Sequence, residues 1–217
     1  MGSRAIVIGS TGLVGKQLVL QLLEDARFDK VTSFARRASG ITHAKLDEQL
    51  VDFQKPEAWA DKVTGDVLFS ALGTTIKQAG TKEKQYEVDY TFQFNTAKAA
   101  AKNGVKEYVL VSSASASPSS MVFYSRIKGE LERDTEKLGF TCMTYVRPGL
   151  LGGDREQPRA GERFAEGVLD VIGWLPGLTN VKTIQGKTVA KAMISAWNQH
   201  TPGVTVLHNK QLFVLGA

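Results

Sequence analysis

The segment Arg4–Gly15, with the sequence RAIVIGSTGLVG, decides the fold. Its first half is a short run of apolar, β-branched residues, which is typical of a buried strand. Its second half has glycines spaced G-x-x-G-x-x-G and leads into Leu13–Glu24, where apolar residues recur at helical spacing. In such a strand–turn–helix unit the first glycine permits a sharp turn, the second lets a pyrophosphate approach the backbone, and the third lets the helix pack closely on the strand.

The helix after this turn would present free N–H groups and its positive end to phosphates. Because the glycines lie in the first strand–helix unit of the chain, they favour a dinucleotide site over an ordinary strand-to-helix turn. The residues predicted to bind the cofactor here are Gly9, Ser10, Thr11, Gly12, Leu13, Val14 and Gly15.

The rest of the chain continues the alternation of β-branched runs and helical patterns. Strands separated by helices imply right-handed crossovers and a parallel sheet covered on both faces. The predicted fold class is therefore α/β, with a doubly wound parallel sheet of the Rossmann type and a small C-terminal lobe. Further strands are predicted at Lys30–Ala35, Gln49–Phe53, Asp66–Ala71, Glu107–Ser112 and Thr141–Arg147, and further long helices at Lys82–Asn103 and Phe123–Leu138.

The 217 residues fit a single domain, since no linker divides the chain. The elements after the sixth strand are too short for a second domain. We expect residues of about 150–185 and 200–217 to form a small lobe on the substrate side, over the carboxyl ends of the strands, where α/β proteins bind ligands. The elements predicted after the sixth strand are helices at Glu162–Ile172 and Lys187–Trp197 and a strand at Val204–Leu215.

Composition restricts the partners and the compartment. The net charge is +5, but the basic residues are scattered and no basic helix or aromatic platform occurs, so no nucleic acid is expected as a partner. Ala5–Leu23 is interrupted by glycines and lacks the charged start and Ala-x-Ala site of a signal peptide, and no stretch is long and apolar enough to span a bilayer. We therefore expect a cytoplasmic protein without membrane association.

The single cysteine, Cys142, excludes an intrachain disulfide, and the histidines, His43, His200 and His208, are too far apart in sequence to indicate a metal site.

The end of the second strand indicates which dinucleotide binds. An NAD-binding protein usually has an acid there for the ribose hydroxyls, whereas this chain has Arg36 and Arg37, followed by Ser39. Two guanidinium groups suit a 2′-phosphate, so NADP(H) is favoured; two solvated surface arginines are the alternative. Asp52 and Phe53, at the end of the third predicted strand, are candidates to hold the adenine amino group and flank its ring. A turn or helix-cap carboxylate is an equally good interpretation of Asp52.

A second group of polar residues follows the fifth strand. Tyr124 and Lys128 are four residues apart, so they lie on one face of a helix, and Ser112 and Ser113 end the strand before it. Carbonyl reduction needs a proton donor beside the hydride acceptor, and a tyrosine with a pKa of about 10 is poorly matched to neutral pH. A nearby ammonium lowers that pKa, so Tyr124 is a candidate acid and base, with a serine hydroxyl to hold the substrate oxygen. The alternative is the surface of an amphipathic helix.

Four motifs follow one another along the chain: GSTGLVG at 9–15, VSSASAS at 111–117, YSRIK at 124–128 and RPG at 147–149. In their order, and over nearly its whole length, the chain resembles the short-chain dehydrogenase/reductase (SDR) superfamily. More narrowly, it is similar to the atypical SDR branch that contains the Tat-interacting protein and its bacterial relatives. The segments that carry this similarity are Ala71–Thr75, Val88–Tyr90, Phe123–Glu130, Arg147–Leu151, Asp154–Arg155 and Arg159–Glu162.

The resemblance implies a role for individual positions. Tyr124 would be the acid and base, Lys128 would lower its pKa and bind the nicotinamide ribose, and Ser113 would occupy the family's catalytic Ser/Thr position. One departure is Asp89, where extended relatives carry Asn. Another is the short C-terminal lobe, which argues against a bulky nucleotide-sugar substrate. The residues implied to run along the cofactor are Ala71, Leu72 and Gly73, and those implied to touch its nicotinamide end are Pro148, Gly149 and Leu150.

Two functions are therefore open. The first is an NADP(H)-dependent oxidoreductase that transfers a hydride to or from a small carbonyl or alcohol substrate, using Ser113, Tyr124 and Lys128. The second is an NADPH-binding regulator with a vestigial site, which acts through a protein partner. The intact Ser-Tyr-Lys set favours the enzyme, because a sensor needs only the cofactor contacts, while the fold itself decides neither.

Overall fold

The structure is a computed structural model that describes residues 2–152 and 183–217. Strands and helices alternate along most of the described chain. The strands are β1 Ser3–Ile8, β2 Phe28–Ala35, β3 Leu46–Leu50, β4 Val67–Ser70, β5 Glu107–Val111, β6 Cys142–Arg147, β7 Leu151–Gly152, β8 Ile184–Gln185 and β9 Gly203–His208. The helices are α1 Leu13–Glu24, α2 Ile76–Ala79, α3 Lys82–Tyr86, α4 Phe92–Lys102, α5 Phe123–Thr135, α6 Gly186–Trp197 and α7 Asn209–Leu215.

The main sheet has the order β3-β2-β1-β4-β5-β6-β9, and each neighbouring pair in it is parallel. Successive residues of a strand face opposite sides of a sheet. Ala5 and Val7 of β1 therefore pack with α1 and α6 on one face, while Ile6 and Ile8 pack with α4 and α5 on the other. The predicted doubly wound sheet of the Rossmann type is confirmed.

The strand order reverses between β1 and β4. The chain runs outward from β1 to β2 and β3, then returns to place β4 on the other side of β1. The loops that leave these two strands diverge, and the crevice between them is where doubly wound proteins bind ligands.

The third strand lies earlier in the chain than predicted. β3 ends at Leu50, so the predicted strand Gln49–Phe53 is wrong, and Asp52 and Phe53 lie in the loop after it. Backbone pairing with β2, which begins opposite Leu46, sets these bounds. The middle of β3 is polar, and a polar edge strand gives little hydrophobic signal.

The predicted helix Lys82–Asn103 is interrupted. Glu87–Thr91 forms a π-helical turn between α3 and α4. Such a turn adds one residue to the helix without ending it, so a hydrophobic pattern with a period of 3.6 residues does not reveal it.

The C-terminal segment joins the main sheet. β9 pairs with β6 in parallel, so residues 203–208 extend that sheet. The predicted strand Val204–Leu215 is wrong beyond His208, because a capping box formed by His208 and Gln211 starts α7 there. The predicted helix Glu162–Ile172 lies outside the described residues. The lobe expected at about 150–185 stays a prediction, whereas residues 203–208, expected in the same lobe, lie in the main sheet.

Candidate active site

Two glycines of the phosphate loop are required by the packing of the chain itself. Gly9 has a φ of +86°, in the left-handed region that favours glycine, and a Cβ there would lie 2.4 Å from the Ala71 carbonyl. A Cβ on Gly15 would lie 2.1 Å from the Gly9 carbonyl oxygen. The turn therefore holds β1, α1 and the end of β4 in close contact.

Gly12 differs, because the chain leaves more room around it. Its φ is −86°, and a Cβ would lie 3.2 Å from the Gly9 carbonyl oxygen and 3.9 Å from that of Ala71. Gly12 is the N-cap of α1; no side chain caps this helix, and no acid lies in its first turn. The N–H groups of an uncapped first turn are suited to an anion. The loop thus fits the pyrophosphate of a dinucleotide.

The other loop residues differ in exposure. Ser10 is buried, and its hydroxyl accepts a hydrogen bond from Ser33 Oγ of β2 at 2.7 Å. Thr11 is exposed, so its hydroxyl is accessible to a ligand. Leu13 is half-buried and Val14 lies in the core, so these two residues can contact a phosphate through their main-chain N–H groups and not through their side chains.

Arg36 and Arg37 are exposed in the loop that follows β2. Since β2 pairs with β1 as far as Ile8, this loop starts beside the phosphate loop. Its far end is held by Glu48 of β3, whose two carboxylate oxygens accept the Ser39 N–H at 3.0 and 3.1 Å. The structure therefore places both arginines at the same end of the sheet as the phosphate loop.

Asp52 and Phe53 have opposite environments. Asp52 is exposed, and its Oδ1 accepts the Gln54 N–H at 3.0 Å, as a turn carboxylate does. The buried Phe53 ring lies against Phe92 and Trp59, with a distance of 5.5 Å between ring centroids in both pairs. That ring is part of the core, so the predicted adenine contact of Phe53 would depend on its main chain.

The segment after β4 forms the opposite wall of the crevice. Ala71 donates its N–H to the last carbonyl of β1 at 2.9 Å, and Leu72 after it is half-buried. A Cβ on Gly73 would lie 3.2 Å from Asp89 Oδ1, and the Thr74 N–H donates to the same oxygen at 3.3 Å. Gly73, one of the residues predicted to run along the cofactor, therefore lies beside Asp89.

Ser113 lies after β5 in a chain of serine hydroxyls. Its Oγ is 3.2 Å from Ser115 Oγ, which is 2.8 Å from Ser125 Oγ on α5. This loop packs tightly on α5, because a Cβ on Gly129 would lie 2.2 Å from the Ser117 carbonyl carbon. The Ser117 N–H also donates to the Ser125 carbonyl at 3.0 Å. Ser113 is thereby linked to the N-terminal part of α5.

Lys128 is buried and faces a carboxylate. Its Nζ donates to the Val111 carbonyl oxygen at 3.3 Å and lies 3.8 Å from Asp89 Oδ1. The exposed fractions of the Lys128 and Asp89 side chains are 3% and 1%. Burial lowers the pKa of Lys128, and the Asp89 and Glu132 carboxylates oppose this effect. Burial raises the pKa of Asp89 to about 6, although Lys128 acts to lower it.

Tyr124 is half-buried near the start of α5. Within the described residues, no hydrogen bond joins its hydroxyl to Ser113 or Lys128. Burial raises the pKa of the Tyr124 phenol, and the Asp89 carboxylate raises it further. Both effects oppose the lowering expected from Lys128, whose ammonium has the Asp89 carboxylate beside it.

The loop after β6 lies at the far side of the crevice. The Pro148 carbonyl oxygen accepts the Ala114 N–H at 3.0 Å, which links the loops after β5 and β6. The Gly149 N–H donates to Asn209 Oδ1 of α7 at 3.0 Å, and the Leu150 carbonyl accepts the first N–H of β8 at 2.8 Å. Three separate elements therefore hold the residues predicted to touch the nicotinamide end.

The sequence identified Asp89 only as a departure from the family pattern, and its contact with Lys128 was not predicted. A signal was present, because Gln85, Asp89 and Gln93 recur every four residues and all three are buried. A polar stripe on the inner side of a helix indicates a buried polar network. Ser115 and Ser125 were also missed, although both lie inside the motifs that identify the site.

Other kinds of site find no support within residues 2–152 and 183–217. This part of the chain contains no group of three or more His, Cys, Asp or Glu residues that could hold a metal ion. None of its helices has the length and apolar character needed to cross a membrane.

A protein-family model described as NAD(P)H-binding matches residues 9–199, which include both the phosphate loop and the Tyr124–Lys128 turn. The chain therefore belongs to the NAD(P)H-binding family, and the prediction of an atypical SDR protein is confirmed. In particular, it is similar to the mitochondrial protein fmp52 of Aspergillus fumigatus, with 32% identity over 220 residues that cover 97% of this chain and 93% of the relative.

Solved structures with the same fold contain dinucleotides. A short chain dehydrogenase from Burkholderia cenocepacia J2315 in complex with NADP has a TM-score of 0.68 and 19% identity, covering 95% of this chain and 87% of that one. MoeE5 in complex with UDP-glucuronic acid and NAD has a TM-score of 0.74 and 17% identity, covering 94% and 75%. At these identities the likeness shows the fold alone, and it does not distinguish NADP from NAD for this chain.

The expected cytoplasmic location is wrong. The curated relatives from Aspergillus fumigatus, Meyerozyma guilliermondii and Candida albicans are all named as mitochondrial proteins. The sequence criterion was the absence of a secretory signal peptide, with its apolar stretch and cleavage site. Mitochondrial import uses amphipathic, Arg-rich segments instead, so that criterion does not test for it.

Proposed function

We propose that the chain is an NADP(H)-dependent oxidoreductase that transfers a hydride to or from a small carbonyl or alcohol substrate. The proposal depends mainly on one juxtaposition. The uncapped helix start at Gly12 follows β1, whereas Ser113 follows β5, and only β4 separates these two strands. A phosphate-binding turn with a hydroxyl to hold the substrate oxygen, followed on α5 by the candidate proton donor Tyr124, is the arrangement that carbonyl reduction needs.

Arg36 and Arg37 support NADP(H) over NAD(H). They stand at the position where NAD-binding proteins usually have an acid, and both are exposed. The nearby carboxylate of Glu48 accepts the Ser39 N–H with both of its oxygens. We therefore assign the arginines to a 2′-phosphate, to which each would make a charge-assisted contact.

The proposed chemistry uses Tyr124 as the proton donor. A bound NADPH would supply the hydride that the carbonyl carbon accepts, held by the phosphate loop and the arginines after β2. Tyr124 gives its hydroxyl proton to the carbonyl oxygen as negative charge develops there, and the phenolate regains a proton from solvent. Ser113 donates a hydrogen bond to the same oxygen, and Lys128 contributes positive charge behind the site. Alcohol oxidation is the reverse, with the Tyr124 phenolate as the base.

An NADPH-binding regulator that acts through a protein partner is the second candidate function. It is favoured by the electrostatics of the site, since burial and Asp89 raise the pKa of Tyr124 while Asp89 also compensates Lys128. A site that never transfers a proton has no need of a tyrosine with a lowered pKa.

Tyr124→Phe separates the two candidates, because it removes one hydroxyl and keeps the ring. The native chain is first screened for NADPH oxidation with aldehydes, ketones and quinones. We expect Tyr124→Phe to lower turnover of the accepted substrate by about 10²–10⁴-fold, with NADPH affinity unchanged. The control is Tyr90→Phe, which removes a phenol bonded to Asp134 at 3.0 Å and should keep activity. Unchanged turnover in Tyr124→Phe would exclude the mechanism.

A further inference from the structure

The last helix of the chain begins where β9 ends. β9 pairs with β6 in parallel as far as Arg147, which lies opposite His208. The residues that follow these two therefore leave the sheet side by side, which places the loop at 148–150 next to the first turn of α7. Asn209, the first residue of α7, is thereby brought to the loop that is predicted to touch the nicotinamide end of the cofactor.

Asn209 holds that loop by a hydrogen bond. Its side-chain oxygen, Oδ1, accepts the Gly149 N–H at 3.0 Å. Because Pro148 has no N–H, Gly149 carries the first main-chain donor after the end of β6. The loop is therefore attached to α7 at the point where it leaves the sheet.

The position of Asn209 is defined by α7 itself. At the start of this helix the His208 N–H donates to Gln211 Oε1 at 2.8 Å, as in a capping box. Leu212, one position further along, is fully buried in the core. The capping bond and the core contact fix the start of the helix, so the Asn209 side chain reaches the loop from a rigid element.

The same loop is bonded to the segment that carries Ser113. Before this residue, the Ser112 N–H donates to the Val146 carbonyl at 2.7 Å. After it, the Ala114 N–H donates to the Pro148 carbonyl at 3.0 Å. The main chain at Ser113 is therefore held from both sides by β6 and by the loop after it, and its position depends on where that loop lies.

We propose that Asn209 is a positioning residue for the proposed reaction. Its hydrogen bond to Gly149 fixes the 148–150 loop against the nicotinamide end of the cofactor, and through that loop it fixes the main chain at Ser113. This role rests on the proposed function, because it requires a nicotinamide ring and a substrate oxygen at these places. One side chain of α7 thereby aligns two groups that hydride transfer brings together.

The first test compares NADPH with adenosine 2′,5′-bisphosphate, a fragment that keeps the adenine end and the 2′-phosphate and lacks the nicotinamide end. Asn209→Ala removes the acceptor of the Gly149 N–H. We expect this variant to bind NADPH about tenfold more weakly, as for one lost hydrogen bond, and to bind the fragment with unchanged affinity. Asn209→Asp keeps an oxygen at the same place, so it should restore the NADPH affinity. Calorimetric titration measures both ligands.

The matched control is Gln211→Ala, which removes the capping bond of the same helix and leaves the Asn209 amide in place. We expect it to lower the melting temperature and to leave the NADPH affinity unchanged. A role of Asn209 in the stability of α7 alone would instead give both variants the same loss. That result, an equal loss for NADPH and the fragment, or full NADPH affinity in Asn209→Ala would overturn the proposal.

Turnover tests the part of the proposal that concerns Ser113. With an accepted substrate, kcat should fall about tenfold in Asn209→Ala, return in Asn209→Asp and stay native in Gln211→Ala, and an unchanged kcat would contradict this part. If NADPH binds but no substrate is found, the oxidoreductase function fails while the affinity comparison still decides the role of Asn209 at the cofactor.

A measurement on the native chain decides if Asn209→Ala does not fold. Hydrogen exchange of the Gly149 N–H is followed in the free chain, with NADPH and with the fragment. Exchange that NADPH slows more than the fragment does supports the proposal, because the loop then closes on the nicotinamide end. Equal exchange with the two ligands overturns it.

Discussion

The Gly9–Gly15 loop and the Tyr124–Lys128 turn lie around one crevice, yet they depend on different parts of the chain. The loop is shaped mainly by its own backbone, since Gly15 packs on the Gly9 carbonyl. The turn on α5 depends on a distant segment, because the charge of Lys128 is compensated by Asp89 between α3 and α4.

The comparison separates two kinds of site property. Main-chain N–H groups do not titrate, so phosphate binding by the loop should depend little on the ionisation of this chain. The turn on α5 carries the ionisable groups Tyr124 and Lys128, which both interact with Asp89 of the π-helical turn, so its behaviour should depend on pH. Substitutions that affect only one property test whether this division is real.

The largest effect is expected at the loop, from Gly12→Val. A φ of −86° is open to any residue, and a Cβ would lie 3.2 Å from the Gly9 carbonyl oxygen, which must shift slightly to make room. The added atoms would stand where a pyrophosphate must approach the N–H groups. Loss of two charge-assisted hydrogen bonds, at about 1.5–3 kcal/mol each, corresponds to NADPH affinity weaker by about 10²–10⁴-fold. Calorimetric titration measures the affinity, and far-UV circular dichroism should stay native.

The contrasting variant is Gly15→Val, in which a Cβ would lie 2.1 Å from the Gly9 carbonyl oxygen. We expect this variant to lower the melting temperature, whereas Gly12→Val should lower only the affinity. If Gly12→Val bound NADPH normally, the loop would not be the phosphate site.

A smaller but pH-dependent effect is expected for Lys128→Met, which leaves Asp89 buried without its cation. The stabilisation from a raised carboxyl pKa is complete below the unfolded pKa of about 4 and is lost as pH rises through the folded pKa. The folded pKa of Asp89 is already about 6 beside Lys128, and it should rise further in the variant. We expect a loss of about 3–5 kcal/mol in unfolding free energy at pH 8, and less at pH 5.

Urea unfolding at the two pH values measures this difference, with Lys102→Met as the control. Lys102 is exposed at the end of α4, so its substitution should change the unfolding free energy little and equally at both pH values. A loss in Lys128→Met that did not grow with pH would show that Asp89 and Lys128 are not coupled.

The smallest effect is expected for the double variant Arg36→Ala/Arg37→Ala, which tests the preference of the loop after β2 for NADPH over NADH. It should weaken NADPH binding by about 1.5–3 kcal/mol and NADH binding little, since only NADPH has the 2′-phosphate. Arg4→Ala is the control, because Arg4 lies at the opposite end of β1 and pairs with Asp66. Equal affinities of the native chain for NADPH and NADH would contradict the assignment of Arg36 and Arg37 to a 2′-phosphate.

The sequence predicts the fold well wherever the signal is local. The predicted bounds of α1 agree with the observed helix Leu13–Glu24, because its glycine turn and apolar periodicity lie within one segment. The bounds of β3 were not predicted, because its pairing with β2, which starts at Leu46, sets them. Helix α7 was missed for another reason: its local signal, the His208–Gln211 capping box, follows a β-branched segment that is typical of a strand.

The candidate site follows the same rule: features within neighbouring motifs are predictable from the sequence, and long-range contacts are not. Adjacent motifs indicate that Ser113 and Tyr124 come from consecutive elements, and the structure links that loop to α5 through Ser115. No local pattern indicates that Asp89 meets Lys128, since their contact requires a π-helical turn on another helix. Burial raises the pKa of Tyr124 and the Asp89 carboxylate raises it further, an effect that no local pattern indicates.

The hydrogen bond between the Gly149 N–H and Asn209 has a consequence for synthesis. The two residues are sixty positions apart, and β9 also pairs with β6 only after residues 203–208 have been made. Because a ribosome makes the chain from its N-terminus, the loop at 148–150 waits for the last segment, and α1 waits for α6, where a Cβ on Gly186 would lie 2.6 Å from the Leu13 carbonyl oxygen. A nascent or truncated chain would leave one face of α1 and the edge of β6 uncovered. Both halves of the crevice therefore depend on segments that translation supplies last.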